Sequence, residues 1–166
     1  MDLEHVVHGF APVFDCRSRV LILGSLPSVK SREHNFYYGH PQNRFWKVLA
    51  ALFGEDLPES IPEKKQLLLS HGVAVWDVIA ECDIIGSDDT SIRNVVPADL
   101  SRIFEAADIK AVFANGSAAA RIFVKYQRAA CGRDIIRLPS TSPANAAWSF
   151  ERLLGSWKTV KDHLET

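Results

Sequence analysis

Two serines, Ser140 and Ser142, lie in a turn-rich stretch with Leu138, Pro139, Thr141, Pro143, Ala144 and Asn145. Hydroxyls and turn amides in such a setting bind phosphate oxygens, although the same residue types also build ordinary turns. Cations gather in two places: Lys30, Arg32, Arg44 and Lys47, then Arg121, Lys125, Arg128, Arg133 and Arg137. Each group is either a phosphate-facing surface or a solvated face. The formal net charge of −1 argues mildly against a nucleic-acid partner, because phosphate contacts need local cations, but a neutral total can hide a basic face. Asp88 and Asp89 are adjacent carboxylates, and neighbouring residues rarely converge on one atom, so they read as a capped loop. Asn115, Gly116 and Ser117 form a tight turn that only weakly resembles a phosphate-binding corner. There is no P-loop, no Gly-x-Ser-x-Gly and no Gly-x-Gly-x-x-Gly fingerprint. Cys16, Cys82 and Cys131 are odd in number and far apart, which predicts free thiols in a reducing compartment rather than a zinc site or an iron–sulfur cluster.

The elements that position these groups alternate along the chain. Residues 19–24 are an apolar, β-branched run ended by glycine, a buried strand. Residues 25–42, rich in Pro, Gly, Ser and aromatics, predict a long ordered loop, a kind of segment that is usually functional. Over 43–53, Phe45, Trp46, Leu49 and Leu52 or Phe53 then recur at helical spacing, with Asn43 as a candidate N-cap. Further helices are predicted over 61–70, 97–106 (with Pro97 in the first turn), 118–126 and 148–163, and strands over 73–78, 109–114 and 134–138. Residues 81–94 read as a polar loop. This alternation predicts one domain over 1–166: a three-layer α/β/α sandwich around a mostly parallel four-stranded sheet. Sites in such folds lie beyond the carboxyl ends of strands, which makes 25–42 and 139–145 the candidate walls. The residues at the start carry no basic-then-apolar leader pattern, and no apolar run approaches the ~20 residues of a membrane helix. A cytoplasmic chain, nucleoid-associated in a prokaryote, is the expectation.

The segment Gly24-Ser25-Leu26-Pro27-Ser28, followed by Phe36-Tyr37-Tyr38-Gly39-His40-Pro41-Gln42-Asn43-Arg44-Phe45-Trp46, resembles the first motif region of the uracil-DNA glycosylase superfamily. The loop Leu138-Pro139-Ser140-Thr141-Ser142-Pro143-Ala144-Asn145 resembles its second motif. Two departures matter: Leu26 stands where the first motif usually carries Asn or Asp, and Leu138 where the second usually carries His or Asn. A leucine neither orients a water nor hydrogen-bonds a leaving base. The three segments together most resemble the hypoxanthine-DNA glycosylase branch, in which the catalytic asparagine lies further along and maps onto Asn43.

That resemblance implies an enzyme that takes a nucleotide out of the stack and hydrolyses its N-glycosidic bond. Asn43 would be the catalytic amide that orients water, while also serving as a helix cap. Tyr38 would stack on the base. Phe36 and Tyr37 are weaker candidates, because three adjacent aromatics cannot all face one pocket; Phe45 and Trp46 read as core. His40 would contact base or phosphate, or fix its loop. The Gly24, Ser25 and Leu26 turn would meet the base, with Ser28 and Arg44 on DNA. Trp76 would line the pocket or join the core, and Asp77 would read a base edge or cap a turn. Leu138, Pro139, Ser140, Thr141, Ser142, Pro143, Ala144 and Asn145 would hold phosphate and enter the minor groove. Lyase chemistry needs an amine nucleophile, and Lys30 is the nearest lysine to the matched motifs, so a monofunctional, monomeric enzyme is predicted, acting on double-stranded or single-stranded DNA. No metal or organic cofactor is implied. The implied substrate is deoxyinosine, with uracil second. The alternatives are a mismatch-specific uracil/thymine glycosylase, a damage-binding module without catalysis, and an unrelated α/β enzyme.

Overall fold

The computed structural model describes residues 2–165. In chain order it contains β1 (Glu4–Val7), β2 (Val20–Gly24), α1 (Val29–His34), α2 (Phe45–Phe53), α3 (Ile61–Ser70), β3 (Val73–Asp77), β4 (Ile79–Ile84), β5 (Arg93–Pro97), α4 (Ser101–Ala106), β6 (Ala111–Asn115), α5 (Ser117–Tyr126), α6 (Arg128–Cys131), β7 (Ile136–Leu138) and α7 (Phe150–Leu164). The central sheet is parallel throughout, in the order β3-β2-β6-β7. Its strands β2, β3 and β6 read as apolar runs because helices cover both faces of such a sheet; every residue of β2 and β3 is buried, as is β6 up to Asn115. Helix α3 packs on β3, α7 on β2 and α2, and α5 on β6 and β7. The predicted sandwich with a four-stranded parallel sheet is the fold.

A second sheet, β1-β4-β5, is antiparallel and was not anticipated. It takes in both ends of the segment expected to be a loop over 81–94: residues 81–84 lie in β4 and 93–94 in β5. Strand β3 passes through Val78 directly into β4, so one run of chain serves both sheets. The polar residues Glu81 and Asp83 alternate with buried Cys82 and Ile84, which is the pattern of a strand with one solvated face. Pro97 ends β5 instead of starting a helix; α4 begins at Ser101, whose amide is accepted by Asp99. The expected loop over 25–42 also holds a helix, α1, capped by the Ser28 hydroxyl accepting from the Ser31 amide.

Strand order fixes where a site belongs. The chain leaves β2 toward β3 on one side and leaves β6 toward β7 on the other, so a crevice opens between the carboxyl ends of β2 and β6.

Candidate active site

That crevice is a cavity of about 140 Å³. Its walls are the turn 24–28 after β2, Tyr37 and Tyr38, Asn43, Asp77 at the end of β3, Asn115 at the end of β6, and 140–142 after β7. Beside it runs a groove of about 480 Å³ that shares Asp89, Ser140 and Ser142 with the cavity and continues along Gly116, Ser117, Arg137, Ala144 and Asn145.

The aromatic loop is held by buried Ser31, whose Oγ accepts from the Gly39 amide at 2.9 Å. Tyr38 has φ +53°, a left-handed backbone that costs a non-glycine residue about 1–2 kcal/mol. This turns its ring onto Phe45, with centroids 4.0 Å apart and planes 21° apart. The Tyr38 hydroxyl is buried beside Asn115 without a well-directed hydrogen bond, and burial raises its pKa, so it stays protonated. Tyr37 is buried too, donating to the Ala11 carbonyl at 2.8 Å, and burial likewise raises its pKa.

Asn43 lies one position before the α2 cap residue, Arg44. Its Oδ1 accepts from the Phe45 amide at 2.9 Å, so it bonds the helix start from just outside it. One lone pair of that oxygen remains for another donor, and the residue lines the cavity. Asn115 bonds Thr141 twice: Nδ2 donates to the threonine hydroxyl and Oδ1 accepts from the threonine amide, both at 3.0 Å. These bonds tie the ends of β6 and β7 together under the cavity.

Asp77 faces the cavity, and its Oδ2 meets His8 Nε2 at 2.6 Å. Gly24 makes room for it: a Cβ there would sit 2.5 Å from Asp77 Oδ1 and 3.1 Å from the Tyr38 hydroxyl. Asp89 reaches the cavity mouth, where its Oδ1 accepts from Ser25 Oγ at 3.2 Å. Its residue surface is exposed but its carboxyl is turned inward, and that burial raises its pKa. Asp88 does the capping, accepting from the Thr90 amide and hydroxyl. Among the described residues, no group of three or more His, Cys, Asp or Glu side chains could hold a metal ion.

Gly24, Ser25, Leu26, Ser28, Tyr38, Asn43, Ser140, Thr141 and Ser142 therefore meet in one cavity. Other expectations need correction. Phe36 is core, stacked on Trp46 with planes 12° apart. Trp76 is buried on the opposite side of its strand from Asp77 and does not line the cavity. His40 lies outside the cavity, its Nδ1 accepting from the Gln42 amide. Arg44 spends its guanidinium on the carbonyls of Ser142, Asn145 and Trp148. Leu138 borders the groove but is only 2 % exposed, so its side chain belongs mainly to the core. Thr141 is fully buried and braces the loop from within. Pro139 does border the groove, its carbonyl accepting from Trp157 Nε1, whereas Pro143 borders neither cavity nor groove. Four contributors carried little sequence signal: Ser31, Asp89, Asn115 and, above all, His8.

The chain's residues 11–161 match the model of the uracil DNA glycosylase superfamily. It is 33% identical over 160 residues to the Hypoxanthine DNA glycosylase of Methanosarcina acetivorans, covering 95% of this chain and 99% of that one. It is 39% identical over 111 residues to the Hypoxanthine DNA glycosylase of Methanosarcina barkeri, covering 65% of this chain and 70% of that one. A solution NMR structure of a Methanosarcina acetivorans protein, provisionally assigned as a uracil DNA glycosylase, superposes with a TM-score of 0.80 at 32% identity, covering 95% and 98% of the two chains.

Proposed function

The chain belongs to the uracil DNA glycosylase superfamily, and on that premise we propose that it is a monofunctional DNA glycosylase releasing hypoxanthine from deoxyinosine, with uracil as a second base. The observation that carries this reading is Asn43: an amide oxygen with a lone pair to spare, lining a crevice that also holds Tyr38. The flipped base enters the crevice and packs against Tyr38. Asn43 Oδ1 accepts a hydrogen bond from a water and aims its oxygen at C1′. The C–O bond forms as the C1′–N9 bond breaks; the water loses a proton, and the base leaves with the bonding pair and is protonated on release. Ser140, Ser142 and Ala144–Asn145 line the adjoining groove and meet the DNA backbone.

Leu26 lines the same crevice, and an apolar side chain there favours a second reading, a module that binds damaged DNA without cutting it. Base release from matched duplexes carrying one inosine or one uracil separates the two. Wild type should release hypoxanthine. Asn43→Ala should slow release about a hundredfold or more, while losing only about 1 kcal/mol of stability with its helix bond. Asn43→Asp keeps an acceptor for the Phe45 amide and should melt like wild type. If release falls no further than stability explains, Asn43 is structural only. Tight binding with no release from either duplex would establish the binding module.

A further inference from the structure

His8 follows β1, where its amide donates to the Ala80 carbonyl at 2.8 Å. Its ring is enclosed by Phe10, Tyr37 and Trp76. The side chains of His8 and Asp77 are only 5% and 4% exposed, and their 2.6 Å contact is the only hydrogen bond the imidazole makes among the described residues. His8 Nδ1 is buried with no partner among the described residues.

That bare nitrogen assigns the protons. A doubly protonated imidazole would bury an unpaired Nδ1–H. A protonated Asp77 donating to Nε2 would require the other tautomer and leave the same unpaired donor. Only the neutral ring with hydrogen on Nε2, facing an ionised carboxylate, leaves no proton stranded, and a stranded buried donor is costly. Asp77 is then purely an acceptor. Its second oxygen, Oδ1, lies over Gly24 at the cavity floor.

We infer that His8 is a positioning residue that fixes Asp77 as an ionised, acceptor-only group, and that the pair selects a base presenting an N–H at the cavity floor. The inference rests on the hypoxanthine reading above. Deamination of adenine turns N1 from a lone pair into an N–H and the exocyclic amine into a carbonyl. Hypoxanthine therefore donates to Asp77 Oδ1, whereas adenine sets the N1 lone pair against the lone pairs of that desolvated oxygen. Sites built around one buried polar partner reject the mismatched analogue strongly. Uracil, with its own ring N–H, passes the same filter. His8 acts at a distance from the base: without its bond the carboxylate is free to rotate away.

The test uses duplexes with a non-cleavable 2′-fluoro-arabino inosine or 2′-fluoro-arabino adenosine at one position, opposite the same base, so that affinity is measured whether or not bonds break. Wild type should bind the inosine duplex about 10- to 100-fold more tightly, the range of one charge-assisted hydrogen bond. His8→Leu should collapse that ratio toward one without weakening adenosine binding. His8→Gln, which restores an N–H donor, should recover most of it, and Asp77→Asn should lose it while keeping the side-chain shape. A wild-type ratio near one, or equal ratios in folded His8→Leu and wild type, overturns the inference. Hypoxanthine release by wild type from ordinary inosine duplexes, measured in parallel, reports separately on the proposed function. Release with no selectivity sinks only the role of the pair.

Discussion

Replacing Arg44 by methionine keeps the aliphatic stem and removes the guanidinium. That group donates to the carbonyls of Trp148, Ser142 and Asn145, the last two at 3.2 and 3.1 Å. The Ser142 and Asn145 carbonyls also accept from the amides of Asn145 and Trp148, so they keep one partner each. The Trp148 carbonyl has no other among the described residues. The loss is therefore one stranded carbonyl plus two weakened ones beside a half-buried cation, about 2–3 kcal/mol in all. For a domain of this size that lowers Tm by roughly 4–12 °C. Arg44→Lys should fall between, because one ammonium cannot span three carbonyls as a planar fork does. Thermal unfolding measures the stability loss, and amide exchange over 140–148 locates it. Asn43 keeps its bond to Phe45 in either variant, so duplex affinity should suffer more than the release rate of bound substrate. An unchanged Tm and unchanged loop exchange, with duplex affinity nevertheless lost, would refute this reasoning and return Arg44 to direct phosphate contact.

Gly24→Ala should destabilise the fold by about 1–3 kcal/mol, because its Cβ would meet Asp77 Oδ1 at 2.5 Å while His8 holds the other oxygen; base release should fall further than Tm, and an active variant would show that the cavity floor yields. Asp89→Asn removes a negative charge from the edge of the groove and should tighten duplex binding about threefold at low salt, with the gain fading as salt rises. Because burial raises the Asp89 pKa, wild type and variant should converge as pH falls through that raised value; equal affinities at neutral pH would remove Asp89 from the DNA path. His5 is raised above 6.5 by its hydrogen bond to Asp83, so the stability it adds is complete below 6.5 and disappears as pH climbs through the raised folded value. Asp83 is lowered, first by Asn94 and then by His5, so its contribution is lost only in acid, as pH falls through its depressed value. An NMR titration of His5 should give a midpoint above 6.5 that drops in Asp83→Asn, and an unchanged midpoint would break the pair.

Three of the four parallel strands are legible because strands buried on both faces must be nearly continuously apolar, and β2, β3 and β6 are until their last residues. The antiparallel sheet is hidden for the opposite reason: Glu81, Asp83 and Arg93 lie toward solvent, and polar residues in an edge-rich sheet look like loop. Spacing named the aromatic cluster but could not sort it. The backbone sorted it, through the left-handed turn at Tyr38 that brings that ring to the cavity and leaves Phe36 in the core. Arg44 is a different failure. A cation beside a DNA-binding motif invites a phosphate, yet three loop carbonyls can occupy the same guanidinium, and no local pattern distinguishes the two uses.

Leu26 takes on a different meaning in this architecture. The turn 24–28 is itself anchored by the chain between the two sheets: the Val78 amide donates to the Gly24 carbonyl at 2.8 Å and the Ile79 amide to the Ser25 carbonyl at 3.3 Å. The turn can therefore hold its shape without a polar side chain at position 26. Polar groups reach the cavity from elsewhere: Asn43 before α2, Asp77 at the sheet junction, and Asp89 from the β4–β5 connection. The second sheet is what makes this possible, since β1 delivers His8 to Asp77 and β4–β5 delivers Asp89 to Ser25. An apolar first motif and an antiparallel annex are thus two halves of one arrangement. Grafting Asn at position 26 should not restore release to an Asn43→Ala enzyme unless the new amide also reaches the water that Asn43 aims.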